Sequence, residues 1–291
     1  MDFDAFDSTL LQQWVGKTEL RRDVIDCRPA AALAATLDRT IDFHSGAVLP
    51  PLWHWIYFHS PEPQSAIGSD GHVKRGGFLP PISLPRRMWA GGRLQFIAPL
   101  PLNAAASRRS RILRVESKGG RSGDLAFVTV QHEIFCDDAP VLVEEHDIAY
   151  CELPQPGVEA AAPELAPKDA VWTRQVTPDP VLLFRYSALT FNGHRIHYDR
   201  SYATAVEAYP GLIVHGPLVA TLLIDLLREH MPAAELAAFD FRAIAPLFDF
   251  EPFFVCCQPD EEGAVMKLWA RNIHGELAMQ AEAILVPHGR C

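Results

Sequence analysis

Apolar and polar positions alternate with a period of two along GRLQFIAPL (92–100), RILRVESKGGRSGDLAFVTVQHEIF (111–135) and PVLVEEHDIAYCEL (140–153), a pattern that predicts β-strands. SKGGRSGD (117–124) interrupts the middle stretch with three glycines, which makes it a hairpin turn. The same alternation returns in FRAIAPLFDFEPFFVCCQPDEEGAVMKLWARNIHGELAMQAEAIL (241–285), with IHGEL as the turn. Two stretches are helical instead. PAAALAATLDR (29–39) begins with a proline suited to a first helical turn, and GPLVATLLIDLLREHM (216–231) is too apolar for a surface helix. The run LLFRYSALT (182–190) reads as a strand.

The tetrapeptide IAPL occurs at 97–100 and again at 244–247, each time at the end of one strand and before a further strand pair. Matching residues within matching organisation point to an internal duplication. CELPQPGVEAAAPELAPKDA (151–170) carries four prolines and no hydrophobic period, so it reads as an extended linker. The expected division is a first unit over 1–152, a linker over 153–170 and a second unit over 171–291. A curled antiparallel sheet around a central helix, twice over, is an α+β double hotdog.

Composition narrows the function. With 48% apolar and 21% charged residues among 291, the chain can bury a sizeable core. A net charge of −10 argues against a nucleic-acid partner. The local density of Arg108, Arg109, Arg111 and Arg114 fits a solvated strand face. The N-terminus is acidic and no apolar run follows it, and the longest apolar segment (212–227) contains His215, Pro217 and Asp225; neither an export signal nor a membrane span is expected. Six cysteines without C-x-x-C spacing suggest a reduced, cytoplasmic setting, with Cys256 and Cys257 as small hydrophobes in a strand.

Candidate chemistry concentrates in FNGHRIHYD (191–199). His194 and His197, with Asp199 and His215 near in sequence, are possible metal ligands, but the H-E-x-x-H signature is absent. In an extended segment the two histidines would also point to opposite sides. Nucleophilic hydrolysis lacks a G-x-S-x-G elbow. Proton transfer fits better, because an imidazole takes and returns a proton near neutrality.

The segment 184–203 resembles the hydratase motif of the MaoC-like (R)-specific enoyl-thioester hydratases and dehydratases. Laid on that motif, Thr190 takes its first place, Asn192 that of an aspartate, His194 that of an asparagine, Arg195 that of a proline, and His197 that of the catalytic histidine. VHGPLVATLL (214–223) resembles the family's helix entry, with Gly216 at the glycine whose N–H forms the oxyanion hole. Asn192 departs from the commoner aspartate, as in the type 2 hydroxyacyl-thioester dehydratase branch, and removes one acid/base group. GGFLPPISLPRRMWAGG (76–92) is similar to the mesaconyl-C4-CoA and itaconyl-CoA hydratase branch.

The resemblance implies a double hotdog, a coenzyme A thioester as substrate, and neither metal nor redox cofactor. A homo-oligomer is the expected assembly. His197 and Asn192 would be the catalytic pair, with Asn192 holding water through its amide. Gly216 would stabilise the enolate oxygen. Arg86 and Arg87 would hold the free carboxylate of a branched C5 dicarboxyl-CoA, with His194 and His215 also lining the substrate site. The first unit shows no counterpart of FNGHRIHYD and would be the non-catalytic, acyl-binding half. Two alternatives are a 3-hydroxyacyl-thioester dehydratase of longer chains and a non-catalytic acyl-thioester binding module.

Overall fold

The computed structural model describes residues 8–41, 43–44, 46–120, 123–153 and 162–287. Five strands fall in the first half: β1 (Thr18–Val24), β2 (Arg86–Phe96), β3 (Ala105–Gly120), β4 (Gly123–Cys136) and β5 (Ala139–Cys151). Five more follow: β6 (Trp172–Val176), β7 (Leu236–Ala243), β8 (Phe253–Pro259), β9 (Val265–Asn272) and β10 (Leu277–Leu285). The helices are α1 (Ser8–Gln12), α2 (Cys27–Thr36), α3 (Pro180–Leu189), α4 (Arg200–Ala205) and α5 (Gly216–His230). The tip of the β3–β4 hairpin, at 121–122, and the middle of the linker, at 154–161, lie outside the described residues.

All ten strands form one antiparallel sheet in the order β1-β3-β4-β5-β2-β7-β10-β9-β8-β6. Read outward from the central β2–β7 pair, the two halves follow the same order. The two IAPL segments sit in equivalent places: Ile97 and Ala98 donate their N–H groups to the Val141 carbonyl, as Ile244 and Ala245 do to that of Ala278. Leu49 N–H bonds to Leu100 carbonyl at 2.8 Å and Val214 N–H to Leu247 carbonyl at 2.8 Å, so the chain enters the interior of both halves alike.

After that entry the halves diverge. In the second, α5 runs along the curled sheet with every residue from Leu218 to Leu227 buried. In the first, the same place holds only a 3-10 turn, Trp53–Ile56. The expected second long helix is therefore a single turn, and α2 packs against α3 instead. Two indoles explain why one turn suffices: Trp53 is buried, and Trp55 packs edge-on against Trp89 with ring centroids 4.9 Å apart. Asp225 of α5 is buried yet ion-paired, at 2.6 Å with Arg39 of the first half and 3.3 Å with Arg174 of β6. That pairing ties the central helix across both halves.

Residues 182–189, read above as a strand, belong to helix α3. Its start is fixed by Asp179, whose carboxylate accepts the Leu182 N–H at 2.7 Å, and by Pro180 in the first turn. Leu183, Tyr186 and Ser187 are its buried face, a spacing of three and four that a short apolar run hides. Cys256 and Cys257 are both buried in β8, as small hydrophobes would be.

Candidate active site

The site is built where α3 ends. Thr190 closes the helix by donating its hydroxyl to the Tyr186 carbonyl at 2.8 Å, and Phe191 turns the chain with φ +51°. Asn192 then folds on itself: its Oδ1 accepts the His194 N–H at 3.0 Å, leaving the amide NH2 as its remaining polar group. Arg195–His197 form a 3-10 turn. In such a turn positions i and i+3 eclipse. His194 and His197 accordingly share a side, with ring centroids 5.6 Å apart and planes perpendicular, contrary to the opposed arrangement expected of an extended segment.

His197 is buried, and its Nδ1 lies 2.8 Å from the Ile213 carbonyl. A carbonyl only accepts, so Nδ1 carries the proton and Nε2 keeps a lone pair. On its face lies His215, centroids 3.7 Å apart and planes within 18°. His215 Nε2 meets Ser187 Oγ of α3 at 2.8 Å, and its buried Nδ1 has no hydrogen-bond partner among the described residues. Burial pushes the proton affinity of these rings down: His197 to about 4, despite the opposing bond to Ile213, and His194 to about 2. His215 falls well below the ordinary value for the same reason, aided by repulsion from His197 and His194. The cluster is neutral at pH 7.

Gly216 follows His215 as the first residue of α5, where backbone N–H groups have no acceptor within the helix. The His215 side chain provides no cap. A Cβ built on Gly216 would meet nothing nearer than the Trp89 carbonyl at 3.9 Å. Neither packing nor backbone conformation demands a glycine there.

The first half reaches the same place through residues 68–73. Arg195 N–H donates to the Asp70 carbonyl at 2.9 Å and Arg195 Nη1 to the Ser69 carbonyl at 2.9 Å. Gly71 and Gly193 interlock so closely that a Cβ on Gly71 would stand 1.8 Å from the Gly193 carbonyl oxygen. His72 lies against His194, centroids 4.1 Å apart, and its Nδ1 faces Asp70 at 3.1 Å. Burial, followed by the opposing Asp70 bond and the nearby Arg87 charge, brings His72 down to about 4. This contact was not legible in the sequence beyond the turn signal of SDGHV.

A cleft of about 1010 Å³ opens over these loops, walled by Ser187, Asn192, His72 and Arg87 among others. His194, His197, His215 and Gly216 are not among its lining residues; His194 stacks on His72 of the wall and His215 bonds Ser187 of the wall, with His197 packed behind those two rings. The arginine pair divides. Arg87 lines the cleft and forms no ion pair among the described residues. Arg86 is engaged within the protein: its Nε lies 3.1 Å from Glu207 Oε2, it donates to the Glu207 carbonyl, and its guanidinium stacks over Tyr209 at 4.3 Å. Among the described residues no three histidine, cysteine or carboxylate side chains are grouped to hold a metal ion.

One continuous ten-stranded sheet, built of two like halves and curled about a buried helix, is a double hotdog architecture, and the chain is a hydro-lyase that belongs to the hydroxyacyl-thioester dehydratase type 2 family, whose profile matches residues 52–249. A relative in Chloroflexus aurantiacus, mesaconyl-C(4)-CoA hydratase, is 49% identical over 276 residues, covering 92% of this chain and 95% of the relative. Among solved structures, a MaoC-like dehydratase from Phytophthora capsici superposes with a TM-score of 0.69 at 13% identity, covering 98% of this chain and all of that one. A Mycobacterium tuberculosis protein described as a double hotdog superposes with a TM-score of 0.56 at 13% identity, over 94% and 96% of the two chains. These likenesses carry the fold. No helix among the described residues is long and apolar enough to cross a membrane.

Proposed function

We propose that the chain adds water to the conjugated double bond of an enoyl-CoA thioester, with mesaconyl-C4-CoA as substrate and citramalyl-CoA as product. The observation that carries the proposal is His197, whose Nδ1 faces the Ile213 carbonyl and so leaves the lone pair on Nε2, stacked on His215 directly before Gly216 at the start of α5. The resemblance to the Chloroflexus hydratase supports the choice of acyl group.

Hydration requires a base for water, a proton for the α-carbon and a donor for the oxygen that gains charge. His197 Nε2 takes a proton from water as the oxygen bonds to the β-carbon. The double-bond electrons move toward the thioester carbonyl, where the Gly216 N–H and the start of α5 meet the negative oxygen. His197 then returns its proton to the α-carbon, and the site ends as it began. Asn192 does not titrate; its free NH2 orients the water.

Arg87 is the partner for the substrate's free carboxylate, since Arg86 is already held by Glu207. The first half contributes the acyl-binding wall and no second histidine of the His197 kind. Itaconyl-CoA, with its double bond one position further out, requires a preceding dienolate at the same oxyanion donor. The family's description favours one further reading, dehydration of a 3-hydroxyacyl thioester, which is the same chemistry in reverse.

The test is the absorbance of the enoyl thioester with mesaconyl-C4-CoA, itaconyl-CoA and crotonyl-CoA in separate reactions. Fastest loss with mesaconyl-C4-CoA and formation of citramalyl-CoA are expected. Equal kcat/KM on all three would overturn the dicarboxylate assignment.

A further inference from the structure

We infer that Asp70, acting through His72, provides from the first half of the chain the negative charge that steadies His197 once it has taken a proton, a task for which Asn192 has no charge. The inference rests on the hydration proposed above and makes Asp70 and His72 a positioning pair for that reaction.

Protonating His197 creates a cation inside the protein, and a buried cation needs a nearby anion. The groups facing His197 are the rings of His194 and His215, with His72 beyond His194; none of these is an anion. Arg87, across the cleft wall, opposes further positive charge at His194 and His72. No carboxylate bonds to His194, His197 or His215 among the described residues. Asp70 is the acid joined to the cluster: its Oδ2 lies 3.1 Å from His72 Nδ1 and its Oδ1 accepts the His72 N–H at 3.0 Å.

Asp70 remains ionised. Burial pushes its carboxyl up, but the His72 hydrogen bonds and charge, with Arg87, bring it well below the usual range. With Nδ1–H directed at Asp70, His72 keeps its lone pair on Nε2, at the far side of the ring from the carboxylate. The imidazole thereby extends the negative end of the pair away from Asp70. The pair cannot drift, because the Gly71–Gly193 interlock and the Arg195 bonds to Ser69 and Asp70 seat its loop on the His194 turn.

Asp70→Asn tests the charge alone, since it retains an oxygen for the His72 N–H and the backbone carbonyl for Arg195. On mesaconyl-C4-CoA the variant should lose roughly tenfold or more in kcat, with KM moved less than about threefold. The acidic limb of kcat should shift down by roughly half a pH unit or more, because His197 binds a proton less readily. His72→Gln, which cuts the link while leaving Asp70 in place, should reproduce the loss. Asp70→Asn combined with Asn192→Asp puts a carboxylate back beside the histidines and should regain most of the kcat. A structural role for Asp70 would lower thermal stability without moving the limb and would not be rescued from position 192. The inference is overturned by Asp70→Asn activity within about twofold of the parent, by an unmoved limb, or by failure of the double variant to recover. A parent inactive on every thioester would overturn the hydratase reading as well; an active parent with unaffected variants overturns this inference alone.

Discussion

The imidazoles of His197 and His215 lie face to face, 3.7 Å between centroids and 18° between planes, both buried and both held neutral. Stacking is compatible with two neutral rings and repulsive for two protonated ones. Stability therefore depends on pH with a definite sign. Unfolded, each histidine titrates near 6.5; folded, His197 and His72 are brought down to about 4 and His194 to about 2, and burial holds His215 well below its ordinary value. Below pH 6.5 the unfolded chain binds protons that the folded chain refuses, so stability falls with falling pH and is unaffected by these groups above that value. Each refused proton costs at most ~1.4 kcal/mol per pH unit. Thermal melts should show Tm lower by roughly 5 °C or more at pH 5 than at pH 7. An equal Tm at the two values would mean these rings are accessible to protons in the folded state.

Gly216 and Gly71 should separate function from fold. Alanine at Gly216 has room, with its nearest neighbour at 3.9 Å, and alanine suits a helix start at least as well as glycine. Gly216→Ala should keep or slightly raise Tm while lowering kcat/KM by roughly 10²-fold, because the methyl group crowds the N–H that meets the thioester oxygen. Gly71→Ala should lower both, since φ +91° and the 1.8 Å approach to the Gly193 oxygen force the two loops apart. Parallel losses in the two variants, measured by melting and by kcat/KM, would remove the special role given to Gly216.

The adjacent arginines should behave differently. Replacing Arg87 with Met removes a charge-assisted pair with the substrate carboxylate, about 2–4 kcal/mol in transition-state binding, for mesaconyl-C4-CoA but not for crotonyl-CoA. Arg86→Met instead leaves buried Glu207 unpaired, so Tm should fall and both esters should lose activity alike. The quantity to measure is the ratio of kcat/KM for the two esters in each variant. A ratio unchanged by Arg87→Met would release that residue from carboxylate recognition.

Much of the fold was legible because its signals are local. The period-two stretches became β2 to β5 and β7 to β10, the apolar run became the buried α5, and the IAPL pair marked equivalent bonds to Val141 and Ala278. Residues 182–189 misled because a short apolar run fits helix and strand alike, and the capping by Asp179 and Pro180 decides between them. The loss of the first central helix turns on how Trp53 and Trp55 fill a space made by distant strands. At the site, the 191–199 segment and Gly216 stood out by residue type. Asp70 and His72 did not, because their meeting with His194 joins residues more than a hundred positions apart. Nor could sequence tell that Arg86 finds Glu207 while its neighbour Arg87 faces the cleft.

The central claim is that His197 moves the proton, and its most direct test is the steady-state hydration of mesaconyl-C4-CoA by His197→Ala at pH 7. The substitution removes the Nε2 base and the bond to the Ile213 carbonyl while touching no ion pair. A kcat reduced by roughly 10³-fold or more in a protein that still melts cooperatively is the expected result. Activity within a few-fold of the parent, in a protein equally well folded, would contradict the claim and leave the histidine cluster a structural feature of the fold.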